Sequence, residues 1–522
     1  GTNWNGSLAA VDDTDSAYNY WAVYAPTGYT TLTIGPSGSV RGNVLLGIAT
    51  KGDMVNHGGW HGSTFYGASQ SLHNYGQIYA GGIGSTGGLY IDGSLKHYAG
   101  AELHVDVDPV GPGPDNDLVT VTDLARIEGE IVPAVKTLLD EDYVFLTAGT
   151  LEFSGEIRDA HVFNWDSVVS ANSISGFADA NFNPVGYGLT ANQRSLAQYI
   201  QKYWDVSSAD HAPLFGYLHE FEKGEHGAYQ SALDQISGQV LNSQAIQMKT
   251  VFATSLSDSL SCPTVTEGGL RLNQTDCAWA RVTGSIAEQS ANSSNSGYHV
   301  TAGGIRLGAQ KALRGQWTAG FSLGYANNYL TSTGLTSNGS FFDASLSAQK
   351  KINDWSFGTS LGLAYGWFDN NRTPQLNGNG AAGSLADQYT SSSDMMMVGL
   401  RLRAAYEYER KDHFIKPYVE VDLMYSDVGG YTESGSGALA LKANASNQFS
   451  VAISPMVEFG TDMVTDGKRR IKAYVSGGAT FMPSNRVSTP MAFANGLASA
   501  GTYDVITDGP EILGRLNLGI QA

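Results

Sequence analysis

The chain has 522 residues, 64 of them Gly, with 30 Lys+Arg against 49 Asp+Glu, 42% hydrophobic and only 15% charged residues. A formal charge of −19 and the lack of basic clusters exclude a nucleic-acid partner, because phosphate backbones are bound by Lys and Arg patches. The hydrophobic content excludes low-complexity disorder. No run approaches 18 consecutive apolar residues, so no transmembrane helix is encoded; a transmembrane barrel, which signals itself only through alternating segments, stays open.

Residues 1 to about 185 are short runs punctuated by Gly, Asn and Thr, with apolar and polar residues alternating as in half-buried strands. Ser37-Gly38-Ser39-Val40, Asn74-Tyr75-Gly76-Gln77-Ile78 and Asp92-Gly93-Ser94-Leu95 repeat one device, a turn with Gly followed by a short strand. Such spacing predicts the rungs of a parallel β-helix or related solenoid, each covering its neighbour's apolar face. Asp106, Asp108, Asp115 and Asp117 surround a Pro- and Gly-rich turn. Carboxylates are calcium ligands, but no calcium-loop motif accompanies these, and solvated turn aspartates are the expectation.

Helical spacing starts near Leu189, where Thr190 is an N-cap candidate, and predicts a helix through Ile200. A second short helix is predicted over Pro213 to Phe221 and a continuous one over Ala228 to Leu260, about 50 Å long. Beyond the short stripe of Leu233, Ile236 and Val240, the third is rich in Gln, Ser, Ala, Asn and Thr and poor in charge. Such a surface suits a polar, enclosed channel longer than the roughly 40 to 45 Å of a bilayer.

After Cys277 the alternation becomes strict. Trp317, Ala319, Phe321, Leu323 and Tyr325 oppose Thr318, Gly320, Ser322, Gly324 and Ala326, and Trp355, Phe357, Leu361, Leu363, Tyr365 and Trp367 oppose Ser356, Gly358, Ser360, Gly362 and Ala364. Val398, Leu400 and Leu402 oppose Arg401 and Arg403; Val419, Val421 and Leu423 oppose Glu420 and Asp422. A soluble sandwich has strands of about five or six residues packed on two sides. Long apolar faces backed by Gly, Ser, Ala or charge instead predict a lipid-facing barrel with a polar lumen. Ten segments follow the pattern: near 277–290, 298–313, 316–333, 339–352, 354–370, 394–410, 414–428, 448–462, 468–483 and 510–522.

A solenoid, a helical linker and a porin-like barrel in this order resemble the classical (type Va) autotransporters of Gram-negative bacteria, over nearly all of the chain. Residues 101 to 154, with Leu103 to Asp108, Asp117 to Val121 and Tyr143 to Gly149, look like the end of a passenger stalk called the autochaperone. Leu189 to Gln193 and Ala232 to Gly238 resemble the family's linker motifs, while Trp279-Ala280-Arg281, Gly303 to Gly308, Tyr365-Gly366-Trp367, and Tyr431-Thr432-Glu433 with Ala438 to Leu441 resemble barrel motifs.

The resemblance implies an all-β chain with an α-helical linker: the end of a right-handed parallel β-helix over 1–185 with the autochaperone at about 101–165, a linker over 186–263 whose helix at about 228–260 plugs the pore, and an antiparallel transmembrane β-barrel over 264–522. Family barrels have twelve strands and end on an aromatic residue, whereas ten segments are visible here, so the sequence is expected to be cropped at both ends. The implied function is type V secretion, an outer-membrane barrel that translocates and anchors its own passenger at the cell surface. The passenger is expected to be an adhesin or display module, not an enzyme. Implied partners are outer-membrane lipid and lipopolysaccharide, the barrel-assembly machinery and periplasmic chaperones, with a monomeric barrel. The alternatives are a porin-like diffusion channel with a periplasmic N-terminal domain and an autotransporter displaying an enzyme encoded further upstream.

In that oxidising compartment Cys262 and Cys277 are disulfide candidates, a link contributing about 3 kcal/mol by loop-closure reasoning. Arg306, Arg401, Arg403, Glu420 and Asp422 are candidate lumen-facing charges. No catalytic, cofactor or metal motif is present. His73, His97 and His104 are expected to be rung or turn residues, and Asn242, although it lies in the element where some family members cut themselves, lacks the family's cleavage string.

Overall fold

The computed structural model describes residues 2–4, 7–9, 21–25, 27, 30–47, 52–82, 84–260, 276–291, 297–376, 385, 387–410, 413–465, 469–483 and 485–521. The chain divides into two compact units. The first holds residues 1–188 and 197–232, with 376–386, most of which lie outside the described residues; the second holds 189–196, 233–375 and 387–522. Of the stretch expected as the 186–263 linker, 186–188 and 197–232 fall in the first unit and 189–196 and the residues from 233 in the second.

In the first unit each turn of chain adds one strand to each of two parallel sheets. One sheet stacks Thr2–Trp4, Thr30–Ile34, Gly52–Asn56, Thr64–Asn74, Gly88–His97, Leu118–Ile127 and Asp142–Phe153. The other stacks Ser7–Ala9, Ser39–Arg41, Gly59–Gly62, Gln77–Ala80, Glu102–Val107, Glu130–Val135 and Glu156–Ile157. Register carries like onto like: Val40, Trp60, Ile78, Leu103, Ile131 and Ile157 are successive partners, all buried. Parallel stacking leaves an open edge at the last coil, a pairing hazard. The antiparallel hairpin of Phe163–Val169 and Ser173–Ala180 covers it by pairing with Asp142–Phe153. Phe163 packs edge-on against Trp204, and Trp165 Nε1 donates to His219 Nε2 at 2.9 Å, so the helical residues 197–232 close this unit.

A buried polar ladder runs through the coils. Asn56 Nδ2 donates to Asn74 Oδ1 at 2.7 Å, Asn74 Nδ2 donates to His97 Nδ1 at 2.8 Å, and His97 Nε2 faces Glu130 O at 3.3 Å. The same asparagines bond the turns at Gly58 and Gly76, which satisfies backbone that stacking alone leaves unpaired. His73 stacks on Tyr98 and His104 on Tyr79, at 6.0 and 4.2 Å between centroids. Three of the four aspartates of the acidic turn are engaged from within the chain. Asp106 accepts the amides of Gly84 and Ser85, Asp117 those of Gly87 and Asp106, and Asp108 pairs with Lys136 at 2.8 Å.

In the second unit α1, Ala191–Trp204, contributes only its start; α2, Ala212–His219, belongs wholly to the first unit. The continuous helix expected over 228–260 is broken. It runs as α3, His226–Ser237, then one 3₁₀ turn, Gln239–Asn242, then α4, Ser243–Asp258. Gly238 sits at φ 71° in the left-handed region, where Gly alone is unpenalised, and a Cβ there would lie 2.5 Å from Leu441 Cδ1.

The ten expected segments are ten antiparallel strands in chain order: β1 Cys277–Gln289, β2 Tyr298–Leu313, β3 Trp317–Ser332, β4 Leu335–Ile352, β5 Trp355–Arg372, β6 Tyr389–Tyr406, β7 His413–Val428, β8 Ser446–Thr465, β9 Arg469–Phe481 and β10 Ile512–Gln521. They form one curled sheet in which each strand pairs with the next. Lengths of up to 20 residues exceed the roughly 9 to 11 needed to cross a bilayer. One end has tight turns at 314–316 and 353–354, with Gln316 and Asn353 in the left-handed region. The other carries the long connections 373–388, 429–445 and 482–511. The last two fold into a four-stranded sheet of Tyr431–Thr432, Leu441–Ala443, Arg486–Phe493 and Tyr503–Asp508. This mouth sheet was not foreseen, and it is where the Tyr431 and Leu441 motifs lie.

His97 generates a prediction. Burial holds its pKa near 4, below the ordinary 6.5, so between these values the unfolded chain takes up a proton that the folded chain refuses. Stability of the first unit is therefore lost as pH falls from 6.5 towards 4, by about 2.5 kcal/mol at pH 4.5. Pulse proteolysis in urea at pH 7 and 4.5 is expected to show that loss in the native protein and a smaller one in His97→Gln.

Candidate functional site: the barrel lumen

Period two gives the curled sheet two unlike faces. Outside lie Val282, Leu346, Leu361, Leu363, Phe449 and Val457, each at least half exposed. Trp317, Trp355 and Phe357 mark the turn end, and Tyr325, Tyr365, Trp367 and Tyr425 the loop end, which makes two aromatic girdles. Inside, Ser322 bonds Ser345 and Ser454 bonds Thr480, both at 2.8 Å and buried.

The inner face is filled by α4. Phe252 and Leu256 lie against Gly362 and Gly399: a Cβ at Gly362 would be 2.7 Å from Leu256 Cδ2, and one at Gly399 would be 2.6 Å from Phe252 Cε1. Met248 lies on Gly366 and Leu260 on Gly358 in the same way. These glycines, which the sequence shows only as members of a small, polar face, are a groove for the helix. Around them Ala245, Ile246, Phe341, Phe368, Met395, Met397 and Met424 complete a buried apolar cluster.

Polar contacts tie both ends. At the loop end Gln244 bonds Ser337 and Asn370, and Gln247 Nε2 donates to Tyr298 Oη at 3.0 Å. Lys249 Nζ donates to Gln448 Oε1. At the turn end Asp258 pairs with Arg281, Ser259 Oγ bonds Ser360 Oγ at 2.7 Å, and Ser347 Oγ donates to Ser259 O at 2.8 Å.

Arg306, Arg401, Glu420 and Asp422 are buried in the lumen and Arg403 is half-buried. Strand register places Arg401 opposite Asp422 and Arg403 opposite Glu420. Arg401 Nη2 donates to Asp422 Oδ2 at 2.6 Å, Arg403 Nε donates to Glu420 Oε1 at 2.8 Å, and Arg403 Nη2 also donates to Ser257 Oγ of α4 at 2.8 Å. Arg401 Nη1 and Arg515 Nη1 lie 3.2 and 3.3 Å from Glu420 Oε2. Arg306 belongs to another group, forked onto Asp343 at 2.6 and 2.7 Å and 3.5 Å from Asp258. Asp258 and Asp343 went unrecognised in the sequence, where Arg281 stood out only as part of the Trp279-Ala280-Arg281 motif and Arg515 only as a polar-face residue of the last segment. Arg372 was missed too; it forks onto Glu433 at 2.8 and 2.7 Å and donates to Leu439 O at 2.6 Å.

The mouth sheet holds the break between α3 and α4. Tyr503 Oη donates to Ser237 O at 3.2 Å, Thr507 Oγ1 to Gln239 O at 3.2 Å, and Asn242 Nδ2 to Val505 O at 3.1 Å. Asn242 Oδ1 accepts from Thr489 at 2.9 Å, so both ends of that amide are engaged. Asn192 exchanges two bonds with the Ile506 backbone, at 2.6 and 2.8 Å, which is why the start of α1 belongs to this unit. Cys277 is disulfide-bonded, while Cys262 lies outside the described residues. Among the described residues, no cluster of three or more His, Cys, Asp or Glu is placed to hold a metal.

An antiparallel curled sheet with an apolar belt, two aromatic girdles and a polar, filled interior defines an outer-membrane β-barrel. Residues 278–522 match the family model described as the autotransporter beta-domain. Residues 278–522 are therefore an autotransporter beta-domain, the outer-membrane β-barrel of such proteins in Gram-negative bacteria. Among solved structures it is similar to the translocator domain of the autotransporter NalP from Neisseria meningitidis (9% identity, TM-score 0.38, covering 56% of this chain and 98% of that one). It is also similar to the beta domain of the Bordetella autotransporter BrkA (20% identity, TM-score 0.33, 47% and 96%) and to the transport unit of AIDA-I from Escherichia coli (11% identity, TM-score 0.27, 52% and 98%). No curated protein matches the chain.

Two predictions follow from the lumen. Gly399→Val drives a side chain into Phe252 and is expected to destabilise the folded barrel by about 2 kcal/mol, seen as a lower temperature for the loss of its heat-modifiable band on electrophoresis. Asp422→Ala leaves Arg401 short of its forked partner and is expected to cost about 3 kcal/mol, whereas Arg401→Met combined with Asp422→Leu recovers most of it; the same assay reads both.

Proposed function

We propose that residues 1 to about 185 are the end of a passenger stalk that emerges through this barrel, and that α4 is the segment left in the pore when passage ends. The observation that carries the reading is the seat of α4. The helix enters at the long-loop end, which in outer-membrane barrels faces outward, and ends beside Asp258 and Arg281 at the turn end, directly upstream of β1. A plug matched to glycines over its whole length also weighs against free diffusion through the lumen.

The stalk's stacked coils suit export without a nucleotide: each coil that emerges finds a finished edge to pair with, so folding outside favours further emergence. The region expected to be the autochaperone, about 101–165, holds the last coils of that stack and reaches the start of the closing hairpin. In this reading the passenger is an adhesin or display module and the barrel a monomer surrounded by lipid and lipopolysaccharide. The barrel-assembly machinery and periplasmic chaperones act during its biogenesis.

Protease treatment of intact cells expressing the full-length gene tests the proposal. An antibody against residues 1–185 is expected to lose its signal while the 277–522 portion stays protected. Protection of both portions would place the N-terminal unit in the periplasm and transfer support to the channel reading.

A further inference from the structure

The lipid-facing surface is not uniform. Near the turn end, cross-strand register lines up Lys311, Ala319, Ala348 and Thr359 as successive partners across β2 to β5. The row on one side is Phe321, Leu346 and Leu361; the row on the other is Trp317, Lys350 and Phe357. Bulky rows flanking methyl-sized ones leave a trough, and grooves of about 600 and 570 Å³ lie on either side of the Ala319–Ala348 pair. The flanking side chains project from the barrel, with Leu346 67% and Phe357 46% exposed.

Among the described residues, Lys311, Arg314 and Lys350 stand at the turn-side rim of this trough, while Arg403, which also lines it, is paired with Glu420 on the lumen face. Lys311 and Arg314 are exposed, and Lys350 Nζ lies 5.1 Å from the centroid of the Trp317 ring. Among the described residues none of the three is ion-paired with an acid. The acid lining the same groove, Asp276, accepts the Ala312 amide at 2.9 Å. Long cationic side chains at a membrane boundary extend towards headgroups while their stems stay in hydrocarbon, and a Trp beside them sits at headgroup depth.

We propose that this trough is a binding site for an anionic glycerophospholipid of the periplasmic leaflet, with one acyl chain along Ala319, Ala348 and Thr359 and the phosphate between Lys311 and Lys350 beside Trp317. The leaflet follows from the short turns, which face the periplasm in outer-membrane barrels. Charge complementarity selects the headgroup, since an anionic lipid gains from each nearby Lys and a zwitterionic one does not.

Native mass spectrometry of the full-length folded protein, given equal amounts of phosphatidylglycerol and phosphatidylcholine with identical chains, is the test. Retention of phosphatidylglycerol over phosphatidylcholine by roughly tenfold is expected. Lys311→Gln with Lys350→Gln should abolish the preference, and Ala348→Leu, which fills the trough, should lower retention of both lipids. Heat-modifiable migration on gels checks that each variant is folded, and Lys311→Gln alone, at an exposed position, serves if the pair does not fold. Equal retention of the two lipids, or an unchanged preference in the lysine variants, would overturn the site. Stronger retention of lipid A, lost in the same variants, would overturn its assignment to the periplasmic leaflet.

Discussion

A peptide amide or carbonyl left unpaired in hydrocarbon costs several kcal/mol, and strands pair theirs only with neighbouring strands. The second unit is organised by that constraint: ten strands in chain order, each bonded to the next, with unbroken register over the full length of pairs such as β3 with β4 and β4 with β5. Pairing uses up the backbone of the strands between the two edges, β1 and β10, so there side chains alone decide what each face meets. Alternation then sends Leu, Phe and Tyr to lipid and leaves Ser, Gly, Arg and Asp to fill a space that cannot stay empty and dry.

That space is filled in two ways on neighbouring strands. Where the inner face is Gly358, Gly362, Gly366 and Gly399, the helix approaches the strand backbone and buries Phe252 and Leu256. Where the inner face carries Arg401, Arg403, Glu420 and Asp422, the charges neutralise one another and reach α4 through Ser257. Buried pairs of this kind are weak evidence of stability. Their cross-strand fit, Arg401 to Asp422 and Arg403 to Glu420, instead fixes which strand register leaves no charge unpaired. At the mouth, Gly238 breaks the helical run, and the hairpin of Arg486–Phe493 and Tyr503–Asp508 takes up the freed carbonyls of Ser237 and Gln239.

The N-terminal unit obeys the same accounting in water. Its parallel coils pair backbone rung to rung, and the turns that pairing misses are served by Asn56 and Asn74. Its last edge is closed by the antiparallel hairpin of Phe163–Val169 and Ser173–Ala180. Each coil depends only on its neighbour, so the unit is suited to being built in the order in which its chain becomes available.

Period-two patterns are local, and they made the ten strands and their two unlike faces legible from the amino-acid order, with Arg401, Arg403, Glu420 and Asp422 set opposite the apolar face. The Gly-turn repeats likewise announced stacked coils. Helical spacing was legible too, but it ran past Gly238, because a lone Gly inside a helical pattern is tolerated unless packing demands a left-handed residue, and that demand comes from Leu441 and Met491 of the mouth sheet. The short strands of that sheet have no period long enough to read. The partners Asp258, Asp343, Glu433 and Arg515, and the use of four glycines as a helix seat, depended on strand register, curl and the seating of α4. These bring together residues as far apart as Ser257 and Arg403, or Asn192 and Ile506. Alternation states which face a side chain occupies; only the curling of the sheet around the helix decides what it meets there.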